Sequence, residues 1–465
     1  MACNSSSCQS NCYKNDEEYA EDSPSLTDRK LSTSTNGQQN LCVKCKANQP
    51  ISSASAGAGA GADDAHFCYG CFRRNLYGKF RLSVTSYSMI TPSDNVLVAF
   101  SGGPASSVAL QFVHEMQHRA QKNFDASKDR SLPVFGVGVA FIDESAVYPD
   151  ASEKVDDAIR EMKLVVSKLT PPMKQLHVFP IENIYTSDSI EGKDRLTKLL
   201  DAVNDATGKE DLLLHLRMLA LQKVASENGY NRLILGSCTS RIACHVLAAT
   251  VKGQGYSLSA DIQYVDARWD IPVVLPLRDC TAQELNLLCR IDGLKTLQLP
   301  NSPPAGINGL VSSFVTLLQE ENPSRECTIV RTAGKLTPFH FNRIPEISDC
   351  TVPLATRRRQ KRYNLKPMES MSSESFCPLC NSPLSNSDLS SSNKPESCQS
   401  SRFGGACCSS CRFQILPKDS SSMEHFYLSL PQQMVARVKH GSCDNSSMLR
   451  QQIQDCLLSD SEDET

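Results

Sequence analysis

Eight of the 21 cysteines in this 465-residue chain stand in four C-x2-C pairs: "CVKC" (Cys42, Cys45), "CYGC" (Cys68, Cys71), "CPLC" (Cys377, Cys380) and "CSSC" (Cys408, Cys411). The pairs combine as C-x2-C-x22-C-x2-C near the start and C-x2-C-x27-C-x2-C near the end. Each pair can wrap two thiolates around one ion, and two pairs close a tetrahedral four-sulfur site with no open position. Structural zinc, one ion per quartet, is the chemistry this spacing predicts. The loops between pairs are longer than usual, but closing them costs only about 0.6 kcal/mol per doubling of length. His66 in the first set, and Cys398 or Cys407 in the second, are rival ligands that would break the paired spacing.

The compartment matters to that reading. The start, "MACNSSSCQSNCYKNDEEYAED", has neither an apolar core nor a cationic leader, and no stretch approaches the ~18 apolar residues of a membrane span. A cytoplasmic protein without a membrane segment is expected, and in a reducing compartment paired cysteines hold metal more often than they form disulfides. The net charge of −3 announces no nucleic-acid binder, so any such surface must come from local basic clusters.

A second group of residues could hold an anion. "VLVAFSGGPASSVAL" (Val96–Leu110) runs from an apolar strand into small residues and then into a helix start. Free backbone N–H groups and the positive end of the helix dipole would face a ligand at Gly102 and Gly103, with Ser101, Ser106 and Ser107 adding hydroxyls. The spacing is neither the Walker nor the dinucleotide-binding fingerprint. A tight strand-to-helix connection without a ligand is the alternative.

The elements that must position these groups alternate. Asn95–Phe100, Pro133–Asp143, Leu176–Ile181, Arg232–Gly236 and Ile271–Leu277 are short continuous apolar runs, as strands covered on both faces require. Between them lie helix-period segments, among them Ala151–Leu169 and the series Leu214, Met218, Leu221, Ala225, while Val108, Phe112 and Met116 continue the helix after the glycine turn. The expected fold class is α/β, a doubly wound parallel sheet, with a four-cysteine zinc module at each end. The expected organisation is a loose N-terminus over 1–40, a zinc module over 41–75, the α/β domain over 76–345, a basic linker over 346–372, a zinc ribbon over 373–431 and a tail over 432–465 that ends in acidic residues. "SSASAGAGAGADD" (Ser52–Asp64) and Ser385–Arg402 are low-complexity or polar loops.

"SGGPASS" resembles the S-G-G-x-D-S loop of the PP-loop ATP pyrophosphatases, doubly wound enzymes that cleave ATP between its α- and β-phosphates and adenylate a substrate oxygen. Ala105 stands at the family's aspartate, so the resemblance implies a phosphate cradle without its metal-associated carboxylate, and ATP is expected to bind weakly at best. The order of zinc knuckles, PP-loop core and zinc ribbon, with "HFCYGCFRRNLYGKFR" and "FCPLC", resembles the two-subunit cytoplasmic tRNA 2-thiolation family over roughly Leu41 to Pro431. Catalytic members carry thiols at positions that fall here on Asp211 and Leu214, upstream of "RMLALQKVA" (Arg217–Ala225). They carry G-H-N-x-D-D where this chain has "GSCTSR" (Gly236–Arg241), and a further cysteine after "PLR" (Pro276–Arg278) where none occurs between Cys289 and Cys327. The resemblance therefore implies no catalytic residue and no cluster-bound sulfur carrier, with Cys238 and Cys244 as packed thiols.

What the resemblance implies in their place is a non-catalytic subunit of a heterodimer. A catalytic PP-loop partner would activate the wobble uridine of cytosolic tRNAs, and sulfur would come from a thiocarboxylated ubiquitin-like carrier. The expected RNA-binding groups are Arg73, Arg74, Lys79 and Arg81, with Phe72, Tyr77 and Phe80 interleaved for stacking, and then Arg357, Arg358, Arg359, Lys361 and Arg362. A solvated face, or a nuclear-import signal for "RRRQKR", is the plainer reading of those clusters. Two other functions fit parts of the sequence: an autonomous ATP-dependent thiotransferase, which would need the missing thiols, and a zinc-dependent scaffold with no tRNA role, which leaves the basic clusters unexplained.

Overall fold

The computed structural model describes residues 41–51, 66–127, 133–148, 152–185, 189–297, 306–344, 370–373, 375–390 and 399–441. A six-stranded sheet forms the middle layer. Its strands are β1 (Asn95–Ala99), β2 (Gly136–Asp143), β3 (Gln175–Pro180), β4 (Arg232–Ile234), β5 (Val265–Asp266) and β6 (Val273–Val274), in the order β3-β2-β1-β4-β6-β5. All neighbours are parallel except the β5–β6 edge pair. The five expected apolar runs are the five parallel strands, and the doubly wound reading holds. The two-residue β5 carries no run long enough to read from sequence.

Strand side chains alternate between two apolar layers. Val96 and Val98 of β1 join Val137, Val139 and Phe141 of β2 on one face, whereas Leu97, Ala140 and Ile142 belong to the other. The first face is covered by α1 (Tyr69–Ser86), α2 (Pro104–Ala126), α3 (Ser152–Lys168) and α8 (Ala282–Ile291). The second is covered by α4 (Ser189–Asp201), α5 (Ala206–Glu227), α6 (Thr239–Val251), α7 (Gly255–Asp261) and α10 (Arg325–Ala333), with α9 (Gly306–Glu321) packed on α6. α5 is buried almost all round, with Leu212, Leu213, Leu216, Leu219, Ala220 and Val224 inside beside Leu221 and Ala225. The expected apolar stripe is therefore only part of its buried surface, and Leu214, counted in that stripe, is 43% exposed.

The C-terminal cysteine region merges with this second face. Cys377, Leu379, Cys380, Phe403, Cys408, Cys411 and Phe426 share one apolar cluster with Leu212, Leu216 and Leu233 of β4. In the region expected as a zinc ribbon, the described residues make an antiparallel bridge between Phe376 and Pro383, and then short helices α11 (Asn386–Ser390), α12 (Gln399–Ala406), α13 (Ser409–Gln414), α14 (Ser420–Ser429) and α15 (Gln432–Gly441). Met434 of α15 is fully buried, so residues expected as tail still belong to the packed body. The expected boundary between residues 75 and 76 falls inside α1, which carries Cys71 at one end and core residues Leu76, Phe80 and Val84 along its length. The loose N-terminus 1–40 and the basic linker, apart from its last residues, lie outside the described residues.

Candidate metal centres and nucleotide crevice

Each quartet comes together from its two pairs. In both, the four sulfurs lie within 4.8 Å of one another, and among the described residues these are the two groups of three or more such ligands that could hold an ion. Tetrahedral bonding at the usual Zn–S length of about 2.3 Å needs sulfurs about 3.8 Å apart. Cys45 and Cys68 are 3.7 Å apart, as are Cys380 and Cys408. The first pair of each site closes by the same turn. Lys46 N–H donates to the Cys42 carbonyl at 2.8 Å with φ +53°, and Asn381 N–H donates to the Cys377 carbonyl at 2.8 Å with φ +57°. The residue four positions after the first cysteine is thus bent into the left-handed region so that two sulfurs face one point.

Cys42 and Cys45 of the first site and Cys377 of the second are drawn towards the thiolate. Burial opposes ionisation of Cys42, but the backbone N–H groups of Cys45, Cys68 and Lys44 outweigh it and draw the thiol down to about 6. Burial likewise opposes ionisation of Cys377, and the thiols around it, together with a Cys408 N–H donated at 3.4 Å, hold it well below the ordinary range. Burial and the neighbouring sulfurs push Cys71 up to about 12. A metal ion entering either site displaces whatever protons its four sulfurs still carry. Of the rivals, His66 is not in the first group and Cys407 directs its thiol to the Phe403 carbonyl at 3.3 Å, while Cys398 lies outside the described residues.

The glycine turn sits where the strand order reverses, between β1 and β4, which is where doubly wound sheets bind ligands. Gly102 has φ +77°, and a side chain there would also collide with Leu297, whose N–H donates to the Gly102 carbonyl at 2.8 Å. Ser106 Oγ donates to the Gly103 carbonyl at 2.9 Å and lies 3.2 Å from Ser101 Oγ, so the loop is closed by its own hydroxyls. Ser107 Oγ is buried with no partner. Gly236, after β4, allows the second wall to approach: a Cβ there would stand 2.9 Å from both the Ala105 carbonyl carbon and the Ser106 nitrogen. The need for glycine at 236 was not read from the sequence, although "LGSC" after an apolar run signals a close backbone approach.

Burial opposes ionisation of the described thiols outside the quartets, among them Cys289, whose Sγ lies 3.5 Å from the Pro104 carbonyl beside the loop. Burial pushes Cys289 up to about 12 and also raises Cys238, Cys244, Cys280 and Cys327. Asp211, at one of the positions where the resemblance puts a catalytic thiol, forms an ion pair with Lys252 at 2.7 Å, both side chains under 10% exposed. Arg217 binds Glu144 through two nitrogens, at 2.5 and 2.9 Å.

The basic residues of α1 divide. Arg73 pairs with Glu115 at 2.9 Å and Asp292 at 3.0 Å, and Lys79 with Glu284 at 2.6 Å. Arg74 and Arg81 are exposed. Phe72, Tyr77 and Phe80 do not face solvent: Phe72 and Phe80 are fully buried, and Tyr77 packs edge-on against Phe112 with ring centres 5.3 Å apart. The expected aromatic stacking platform is instead core, because these residues recur at helical spacing on the face turned to the sheet. Arg357, Arg358, Arg359, Lys361 and Arg362 lie outside the described residues.

No family model matches the chain. Over its full length, however, it is 60% identical to the cytoplasmic tRNA 2-thiolation protein 2 of Arabidopsis thaliana, 464 residues being aligned with all of that protein. The chain belongs to the cytoplasmic tRNA 2-thiolation protein 2 family. A member of the family from Oryza sativa subsp. indica is 47% identical over 431 residues, 91% of this chain and 90% of its own. Among solved structures, the U34-tRNA thiolase NcsA of Methanococcus maripaludis, with its [4Fe-4S] cluster, resembles it with a TM-score of 0.45 and 17% identity over 67% of this chain and 91% of that one. Among the described residues no helix is long and apolar enough to cross a membrane.

Proposed function

We propose that this chain is the non-catalytic subunit of a cytoplasmic heterodimer that 2-thiolates the wobble uridine of cytosolic tRNAs. Membership of the 2-thiolation protein 2 family supplies the process. The observation that carries the division of labour is what stands in place of reactive sulfur: Asp211, where the resemblance puts a thiol, is a carboxylate paired with Lys252, and burial opposes ionisation of every described cysteine outside the two quartets. A sulfur-transferring site needs an accessible thiolate or a cluster with an open position. In this reading a catalytic PP-loop partner adenylates the uridine C2 oxygen, and sulfur from a thiocarboxylated ubiquitin-like carrier displaces AMP.

The present chain contributes the partner surface and tRNA contacts, through exposed Arg74 and Arg81 and through the Arg357–Arg359, Lys361 and Arg362 cluster. Both quartets hold zinc, which their closed four-sulfur geometry favours over an iron–sulfur centre that must exchange sulfur. The glycine loop is a retained fold element, and ATP binds it weakly if at all. The test is reconstitution: tRNA, ATP and a sulfide source are offered to the purified chain, to the partner and to both, and 2-thiouridine is measured. Product from the pair and none from this chain alone is expected. Thiouridine, or pyrophosphate release, from this chain alone would overturn the reading.

A further inference from the structure

The two quartets share spacing and turn geometry but differ in surroundings. The second is sealed inside the apolar cluster that contains α5, with all four cysteines buried. The first stands at the surface: Cys45 is exposed, Val43 is 63% exposed, and Lys44 and Lys46 are exposed on either side of Cys45. Among the described residues neither lysine has an ion-pair partner. Lys46 occupies the left-handed turn position that Asn381 fills in the second site, a conformation asparagine and glycine tolerate better than lysine. A long cationic side chain thus sits where a short polar one would serve the fold equally well.

Arg74 lies one helical turn beyond the ligand Cys71 on α1, and Arg81 two turns further along the exposed side. Two acids that meet the start of α1 are engaged by other groups: Asp292 by Arg73 and Tyr69, Glu115 by Arg73 and Arg119. We propose that the first metal knuckle is an RNA-contact element, in which the ion orders Lys44 and Lys46 to bind tRNA backbone phosphates together with Arg74, while the second metal is internal scaffolding. This rests on the tRNA reading above. Phosphate contacts suit the arrangement, since ammonium groups on a rigid turn neutralise phosphates without reading bases.

The test uses the full chain and a tRNA transcript, with affinity measured across a salt series. Lys44→Glu with Lys46→Glu should weaken binding at least tenfold at low salt and reduce the slope of log K against log salt by about two, one per lost contact. Lys44→Arg with Lys46→Arg should retain wild-type affinity. Reversal of Lys154 and Lys163, exposed on α3, should leave both quantities unchanged. Metal content is measured in each variant, and two equivalents in the Lys44/Lys46 reversal would show that the knuckle remains folded. Unchanged affinity and slope in that variant would overturn this inference alone, and loss of partner binding in its place would assign the knuckle to protein. No tRNA binding by the wild-type chain would overturn the inference together with the reading beneath it.

Discussion

Arg268 is only 5% exposed, yet its guanidinium reaches Asp261 at 2.6 Å, Asp266 at 2.7 Å and the Asn381 carbonyl at 3.2 Å, so one side chain ties the sheet edge to the second cysteine turn. Removing one partner from a buried ion pair leaves uncompensated charge, and Arg268→Ala should cost about 3–5 kcal/mol of stability. Burial opposes ionisation of Asp261, but the charges of Arg268 and His245 outweigh it and hold the carboxyl down to about 2. An aspartate of ordinary pKa near 3.9 in the unfolded chain then binds protons first, so this stabilisation is complete above about pH 4 and is lost as pH falls towards 2. Asp261→Asn should remove that part of the acid sensitivity while lowering stability at neutral pH. The chain's single tryptophan, Trp269, donates to Asp266 at 3.2 Å and reports on the cluster directly. Urea midpoints followed by its fluorescence from pH 7 to 2.5 check both outcomes; an equally steep acid limb in wild type and Asp261→Asn would contradict them.

Helix α1 shows how charge on one element separates into structural and exposed sets. Lys79 neutralises Glu284, which is 7% exposed and also closes the capping box of α8 with Thr281. Reversing Arg73 and Lys79 together should therefore lower the thermal midpoint by several degrees, at about 1–3 kcal/mol per broken contact. Reversing Arg74 and Arg81 should leave the midpoint unchanged and weaken tRNA binding in a salt-dependent manner. Thermal melts and binding isotherms on the two double variants separate these effects. In the sequence Phe72, Tyr77 and Phe80 stand beside the arginines as expected stacking groups, but Phe72, Leu76, Phe80 and Val84 recur at helical spacing on the buried face of α1, so the aromatics are core. The acid partners were not legible, because Glu115, Glu284 and Asp292 lie 42 to 219 residues away and only the fold brings them to the helix. The five short apolar runs announced their strands, whereas the two-residue β5 is set by partners brought in by the fold: β6, Asn342 and Arg268.

On the scale of the whole molecule, the cysteine spacing told which residues meet but not what surrounds them. The position of the cysteine pairs at either end suggested two appended modules flanking a domain. Instead the second quartet shares its apolar cluster with α5 and β4, and the peptide around Cys408 and Cys411 packs on the central helix. Gly208 of α5 lies so close to the Gln414 carbonyl that a Cβ would stand 2.1 Å from the oxygen, so there the two parts touch backbone to backbone. Metal binding to a preformed closed site contributes directly to folding free energy. For the second ion that energy is coupled to the main core; for the first it is coupled to a small cluster of Cys42, Cys68, Cys71 and the half-buried Phe67. Reduced protein should therefore contain about two equivalents of zinc, and the two ions should differ in what their loss does. Cys42→Ser should release one equivalent and leave the cooperative Trp269 transition near its wild-type midpoint. Cys377→Ser should release the other, lower that midpoint by more than 10 °C and leave much of the protein insoluble, because burying an unsatisfied thiol set in the shared core adds to the lost coordination. Metal analysis beside thermal melts of the two variants decides the point: equal midpoints would mean that the second quartet is an appendage after all.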